Sequence, residues 1–330
     1  MFGLNELGSR ELLLFGGFTL LVGFMLYVDL FLVNRKAHVI SIKSALLWSA
    51  VWISAALAFN VLIYWDLGMQ SATEYLTAYI LEKSLSVDNL FVFLVIFSYF
   101  GIPPKYQSRV LRWGILGAIV LRAILIVIGV ELVQLFDWML YVFGAILIFT
   151  AYRLLHGVTD EIEPGKNAAL QLVSRYLPLT TQLKSEAFLV RIAPVLYATP
   201  LLATLIVIET TDVVFALDSI PAVLGVSRDL FIIYTSNIFA VLGLRALYFA
   251  LAGAMQLFHH LKYSLAIILA FIGVRMLLHD FIQIPTEIAL GFVFVLLAMA
   301  IVASLLFPKK DETETQIETL EKESPVIQSH

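Results

Sequence analysis

The sequence predicts an all-α, polytopic membrane protein: about nine transmembrane helices in an inverted repeat, with the N-terminus outside and the C-terminus cytoplasmic. Three observations carry that expectation. Hydrophobic residues make up 61% of the 330, charged residues only 14%, and the mean hydropathy is +0.93, whereas soluble domains average roughly 25% charged residues. Apolar stretches long enough to cross a bilayer recur along the chain. The Lys and Arg residues that separate them fall almost entirely in alternate connections.

Taken in order, the apolar segments are about 12–33, 45–65, 75–100, 110–130, 136–154, 196–224, 230–251, 263–279 and 287–307. The opening MFGLNELGSRE holds two acids and one Arg before a long apolar run. A cleavable signal has a basic start and a shorter core, so the first segment is expected to remain as a membrane helix. Alternate connections hold fourteen basic residues, from Arg35 and Lys36 to Lys309 and Lys310, against Arg10 and Arg228 on the other side. The positive-inside rule then fixes the orientation. The expected organisation is a membrane half over 1–154, a polar cytoplasmic connection over 155–195, a second membrane half over 196–307, and a charged, disordered tail over 308–330. The net charge of −4 argues against nucleic acid as a partner. With no cysteine, thiolate metal sites and disulfides are excluded.

Two stretches contradict their own hydrophobicity. Ile206–Gly225 (IVIETTDVVFALDSIPAVLG) carries Glu209, Asp212 and Asp218, and Tyr79–Ile96 (YILEKSLSVDNLFVFLVI) carries Glu82, Asp88 and Asn89. An ionisable group at mid-membrane costs roughly 2.5–3.5 kcal/mol, so three on one span cost on the order of 10 kcal/mol unless something binds them. The two helices are expected to face each other and hold a cation. Lys83, Arg122, Arg245 and Arg275 also lie in spans. Ion pairing between them and the carboxylates is the competing explanation, with Arg122 and Arg245 as structural or gating partners. Yet the two acidic spans hold five carboxylates, with Lys83 the one base on either.

The halves repeat weakly. Glu82 precedes Asp88 by six, as Asp212 precedes Asp218; Asn89 and Ser219 follow directly; and Leu-Arg-Ala recurs at 121–123 and 244–246. With nine spans the third runs inward and the sixth outward, which gives an inverted repeat with a site at mid-membrane. Carboxylate and amide oxygens suit hard cations such as Mg²⁺, Ca²⁺ and Mn²⁺. Asn60, Asn89 and Asn237 supply amides from apolar runs, and each serves equally as an interhelical hydrogen bond. The six histidines lie at span ends or in polar segments, which disfavours softer metals. On a straight helix Glu209 and Asp212 share a face while Asp218 lies nearly opposite Glu209. Pro221 is expected to break or kink that helix and free the Leu217 carbonyl, or to leave a kink repaired by Ser219. Crowded carboxylates also hold protons in place of a departing metal, which suggests metal/proton exchange by alternating access.

EKSLSVDNLFVFL, ETTDVVFALDSIPA and TSNIFAVLGLRALYF resemble the hallmark segments of the TerC/Alx family, named for tellurium resistance and alkaline induction. The likeness runs from the first span to about Phe307. It implies a multi-pass protein of the bacterial inner membrane, related to LysE-type transporters, that exports Mn²⁺ as substrate and uses no cofactor. Some members are linked to metal supply for secreted enzymes. Carried onto this chain, the acidic motif positions are Glu82, Asp88, Glu209, Asp212 and Asp218, with Asn89 and Ser219 beside them. Mn²⁺ comes from the resemblance; the residues alone indicate a hard cation. Other readings are transport of Ca²⁺, Mg²⁺ or a tellurium oxyanion, which an acidic site repels, and a scaffold or metalation factor with purely structural ion pairs. An intramembrane metalloenzyme is disfavoured, because HExxH is absent and such sites usually include His.

Overall fold

A computed structural model describes residues 9–28, 42–156, 167–180, 187–192, 195–252, 261–281 and 284–306, without the side chain of Asp88. The loops bearing Arg35, Lys36, Lys166, Lys184, Lys309 and Lys310, and the tail over 308–330, lie outside the described residues. The order is α1 (Ser9–Tyr27), α2 (Ile42–Leu67), α3 (Met69–Tyr99), α4 (Pro104–Leu135), α5 (Met139–Leu155), α6 (Ala168–Tyr176), β1 (Leu189–Ile192), β2 (Val195–Ala198), α7 (Pro200–Leu224), α8 (Leu230–Val241), α9 (Leu244–Ala252), α10 (Leu261–Leu277) and α11 (Thr286–Leu306). Each of the apolar segments read from the sequence contains a helix among the described residues.

Among the described residues four stretches, Lys43–Leu67, Pro104–Leu135, Pro200–Leu224 and Thr286–Ser304, are long and apolar enough to cross a membrane, and the bent pair α8–α9 makes a fifth if it is one span. Large apolar side chains face outward along them and along α1: Leu20 and Trp65 are 76% exposed and Phe294 63%. Water would penalise that surface and lipid does not. The chain is an all-α, multi-pass membrane protein.

Local chemistry sets the element boundaries. Pro104 and Pro200 stand at the first helical positions of α4 and α7, where a missing amide proton costs nothing. Asp229 caps α8 by accepting from the amides of Phe231 at 2.8 Å and Ile232 at 3.3 Å. Gly68, at φ +91°, turns the chain between α2 and α3, a backbone state that side chains resist.

The inner packing is pairwise. α3 lies against α8, α4 against α7, α2 against α9, and α5 along the length of α10. The Oγ of Ser227, just past the end of α7, donates at 2.5 Å to Glu74 in the first turns of α3. These two helices therefore run antiparallel. The same end of the bundle holds a cavity of about 600 Å³ lined by Glu74, Ser227, Arg228, Arg275, His279 and Glu287.

Two details depart from the sequence expectation. The connection over 155–195 is not merely polar: it contains α6 and an antiparallel hairpin, β1–β2, that runs to Ala198. Second, α7 continues through Pro221 to Leu224, so Pro221 does not break it. Lying in the last turn, the proline removes a single hydrogen bond where the helix is already ending. The discontinuity occurs in the next span. α8 stops at Val241, α9 starts at Leu244, and the axes diverge by 42° around Gly243 at φ +82°. The Cβ of Trp52 lies 2.8 Å from where a Gly243 side chain would begin, so both backbone and space require glycine there.

Candidate cation site

α3, α4 and α7 meet at Arg122, which is fully buried. Its Nε and Nη2 donate to the two oxygens of Asp212, each at 2.9 Å. This is the bidentate fork that a guanidinium makes with a carboxylate. Nη1 donates to Oε1 of Glu82 on α3. Thus one α4 side chain joins the acidic helices of both halves, and Glu82 and Asp212 are both buried.

The cluster is not saturated. Oε2 of Glu82 and Oε2 of Glu209 are buried without a hydrogen-bond partner; elsewhere in the protein so are Oγ of Ser219 and both amide atoms of Asn237. Glu209 lies one turn before Asp212, within reach of its charge. Its carboxylate occupies the space that a Cβ on Gly117 of α4 would fill. Glycine at 117 therefore makes room for a carboxylate between packed helices. Three carboxylates against one guanidinium leave two negative charges when all are ionised, the charge that a divalent cation neutralises. Even so, among the described residues no three of Asp, Glu, His or Cys stand close enough to hold a metal. In this conformation Arg122 occupies the inner oxygens itself.

The other candidate residues spread from this centre. Asp218, half-buried, points away to α5, where Thr150 Oγ1 donates to it at 2.8 Å and Arg153 lies near. The opposite-face geometry of a helix that runs unbroken past Asp218 accounts for the separation. The Ser219 hydroxyl is buried without a hydrogen-bond partner. Asn89 is buried on α3, one turn past Ser86. Asn60 on α2 is half-buried, with an unpartnered Oδ1. Asn237 on α8 is fully buried. Arg245 is buried on α9. Asp88 belongs to α3, but its side chain lies outside the described residues. Lys83 turns from the carboxylates to the Ala240 carbonyl of α8, at 3.2 Å.

Sequence reasoning missed Thr150, Gly117 and Asn167. Asn167 caps α6 and donates to Thr210 of α7 at 2.8 Å, tying the connection to the acidic helix. Gly114 and Gly117, three apart in α4 ahead of Arg122, were the available signal for close packing beside a carboxylate.

Comparison with known proteins agrees with a multi-pass membrane protein. The model of the "Integral membrane protein TerC family" matches residues 67–312, which include α3 through α11. A Salmonella typhi protein named "Putative membrane-bound redox modulator Alx" is 48% identical over 308 residues, covering 91% of this chain and 95% of its own. Its Escherichia coli K12 counterpart of the same name is 47% identical over 308 residues, covering 91% and 95%. An uncharacterized membrane protein of Myxococcus xanthus is 46% identical over 293 residues, covering 89% and 92%. No solved structure matches. By both the family model and these relatives, the chain belongs to the TerC family of integral membrane proteins.

Proposed function

We propose that this protein transports a divalent cation across the bacterial inner membrane, with Mn²⁺ as substrate, moved outward in exchange for protons. The observation that carries the reading is the buried junction of Glu82, Arg122 and Asp212, which joins oppositely directed helices and leaves carboxylate oxygens unpaired. A cation entering there gains Glu82, Asp212 and Glu209 as it displaces Arg122. Protons replace it as it leaves. Nine spans, counting α8–α9 as one and adding the short apolar helices α1, α5 and α10 and the acidic α3, put the ends that meet at Glu74 and Ser227 on the outer face. The inverted repeat is supported by the packing of α3 on α8 and of α4 on α7, which are equivalent pairs if α3 corresponds to α7. A broken helix beside the site is a recurrent feature of repeat-built transporters.

The test is Mn²⁺ flux in proteoliposomes with and without a pH gradient. Asp212→Asn, which keeps the shape and removes the charge, is expected to lower flux about tenfold or more, the equivalent of roughly 1.4 kcal/mol of lost cation binding. Undiminished flux in that variant sinks the assignment. The buried triad also favours a second reading, a scaffold in which these charges only fasten helices. A scaffold gives no flux in the native protein under any gradient.

Gly117→Ala separates function from stability. The atoms nearest the added methyl are the end of the Glu209 side chain, a flexible group that moves at little cost. The variant is expected to melt within a few degrees of the native protein while losing several-fold in apparent Mn²⁺ affinity. Unchanged affinity removes Glu209 from the proposed site.

A further inference from the structure

We propose that the break between α8 and α9 is a seat for a monovalent cation, and that the chain fills it with the ammonium of its own Lys83. Where a helix stops inside a bilayer, its last carbonyls lose their amide partners, and no water is at hand to replace them. The helix dipole places partial negative charge at that end. The Ala240 carbonyl, one residue before α8 ends, receives Lys83 Nζ at 3.2 Å from the neighbouring α3. The direction of that side chain is informative. Lys83 follows Glu82 in sequence, yet Glu82 engages Arg122. Successive helical residues diverge by about 100°, so the lysine projects to α8 and away from that partner. A cation here is held by a carbonyl at a helix end, the arrangement that binds alkali cations in discontinuous transporter helices.

A second observation points the same way. Asn237 lies three residues before Ala240, on the same face of α8. It is fully buried, with neither its amide oxygen nor its amide nitrogen partnered. That spare polar capacity is expensive in an apolar interior unless something shares it. The seat thus has a carbonyl, a buried amide one turn away and a tethered positive charge. Lys83 differs from a simple cap in one consequence: with its ammonium removed, a free small cation takes the vacated place.

The experiment reads folding, so it stands whether or not the protein transports anything. Lys83→Ala is purified in detergent, and its melting is followed in sodium chloride, ethylammonium chloride and choline chloride at equal ionic strength. Choline is too large for the seat and corrects for salt. The variant is expected to melt below the native protein in choline, and to recover by about 3 °C or more in sodium or ethylammonium at well-saturating concentration. The native protein is expected to show no difference among the three salts. Superimposed curves for the variant would falsify the proposal and leave Lys83 a plain cap. An equal cation-selective rise in the native protein also overturns it, because the cation then binds elsewhere. Lys83→Met, which keeps the stem without the charge, covers failure to fold. If neither variant yields monodisperse protein in choline, recovery in sodium supports the seat, and failure in both salts refutes it.

Discussion

Replacing Arg122 with alanine is expected to be among the most damaging single substitutions in this chain. The guanidinium is fully buried and donates two hydrogen bonds to Asp212 and a third to Glu82. Its removal leaves two carboxylates facing each other in an apolar interior. Breaking a buried pair by deleting one member typically costs about 3–5 kcal/mol, mostly as the penalty on the charge left behind. Arg122→Ala is therefore expected to lower the melting temperature in detergent by roughly ten degrees and to abolish Mn²⁺ flux. Arg122→Lys is expected to recover only part of the stability, because a point charge cannot fork onto both oxygens of Asp212 while reaching Glu82. The triple variant Glu82→Gln, Arg122→Ala, Asp212→Asn separates cause from coincidence. With both of Arg122's partner carboxylates neutralised, most of the lost stability returns, and flux does not. If Arg122→Ala melts like the native protein, the buried triad does not hold these helices together.

How far the sequence reveals this site depends on how locally each feature is encoded. The helices are legible because a bilayer imposes a long apolar run on any span. Glu82 and Asp212 are legible because charge within such a run is costly, and the matched spacing to Asp88 and Asp218 singles them out as a pair. Arg122 is visible as a charge needing a partner, but its choice of both carboxylates at once depends on the approach of α3, α4 and α7, which no spacing encodes. Pro221 and Gly243 show the opposite error. Proline reads as a breaker wherever it stands, yet one turn from a helix end it has little left to break. A lone glycine in AVLGLRA reads as tolerable, whereas its positive φ and the nearness of Trp52 make it the point of rupture. Asp218 reads as a ligand by type. The unbroken course of α7 puts it beside Thr150 instead.

The α5–α10 contact carries the second large expected effect. Gly144 and Gly273 face each other so closely that a Cβ on Gly273 would lie 2.8 Å from the Gly144 carbonyl oxygen, and one on Gly144 would lie 2.9 Å from that of Gly273. Backbone cannot yield as a side-chain end does, so any side chain at either position must force the helices apart. In a bilayer, close van der Waals packing is a main source of helix association, because lipid solvates a separated helix well. Gly273→Val is expected to destabilise by about 3 kcal/mol, at the upper end for overpacking. Gly291→Val is the control: a Cβ there meets nothing within 4 Å, so its melting temperature is expected to stay near that of the native protein. Equal melting of the two variants contradicts the close contact. The displacement should also reach the acidic helix, since α5 carries Thr150, whose hydroxyl holds Asp218 at 2.8 Å. Gly273→Val is therefore expected to impair flux beyond what its loss of folded protein explains, whereas a merely destabilised bundle loses flux only in proportion to the fraction unfolded.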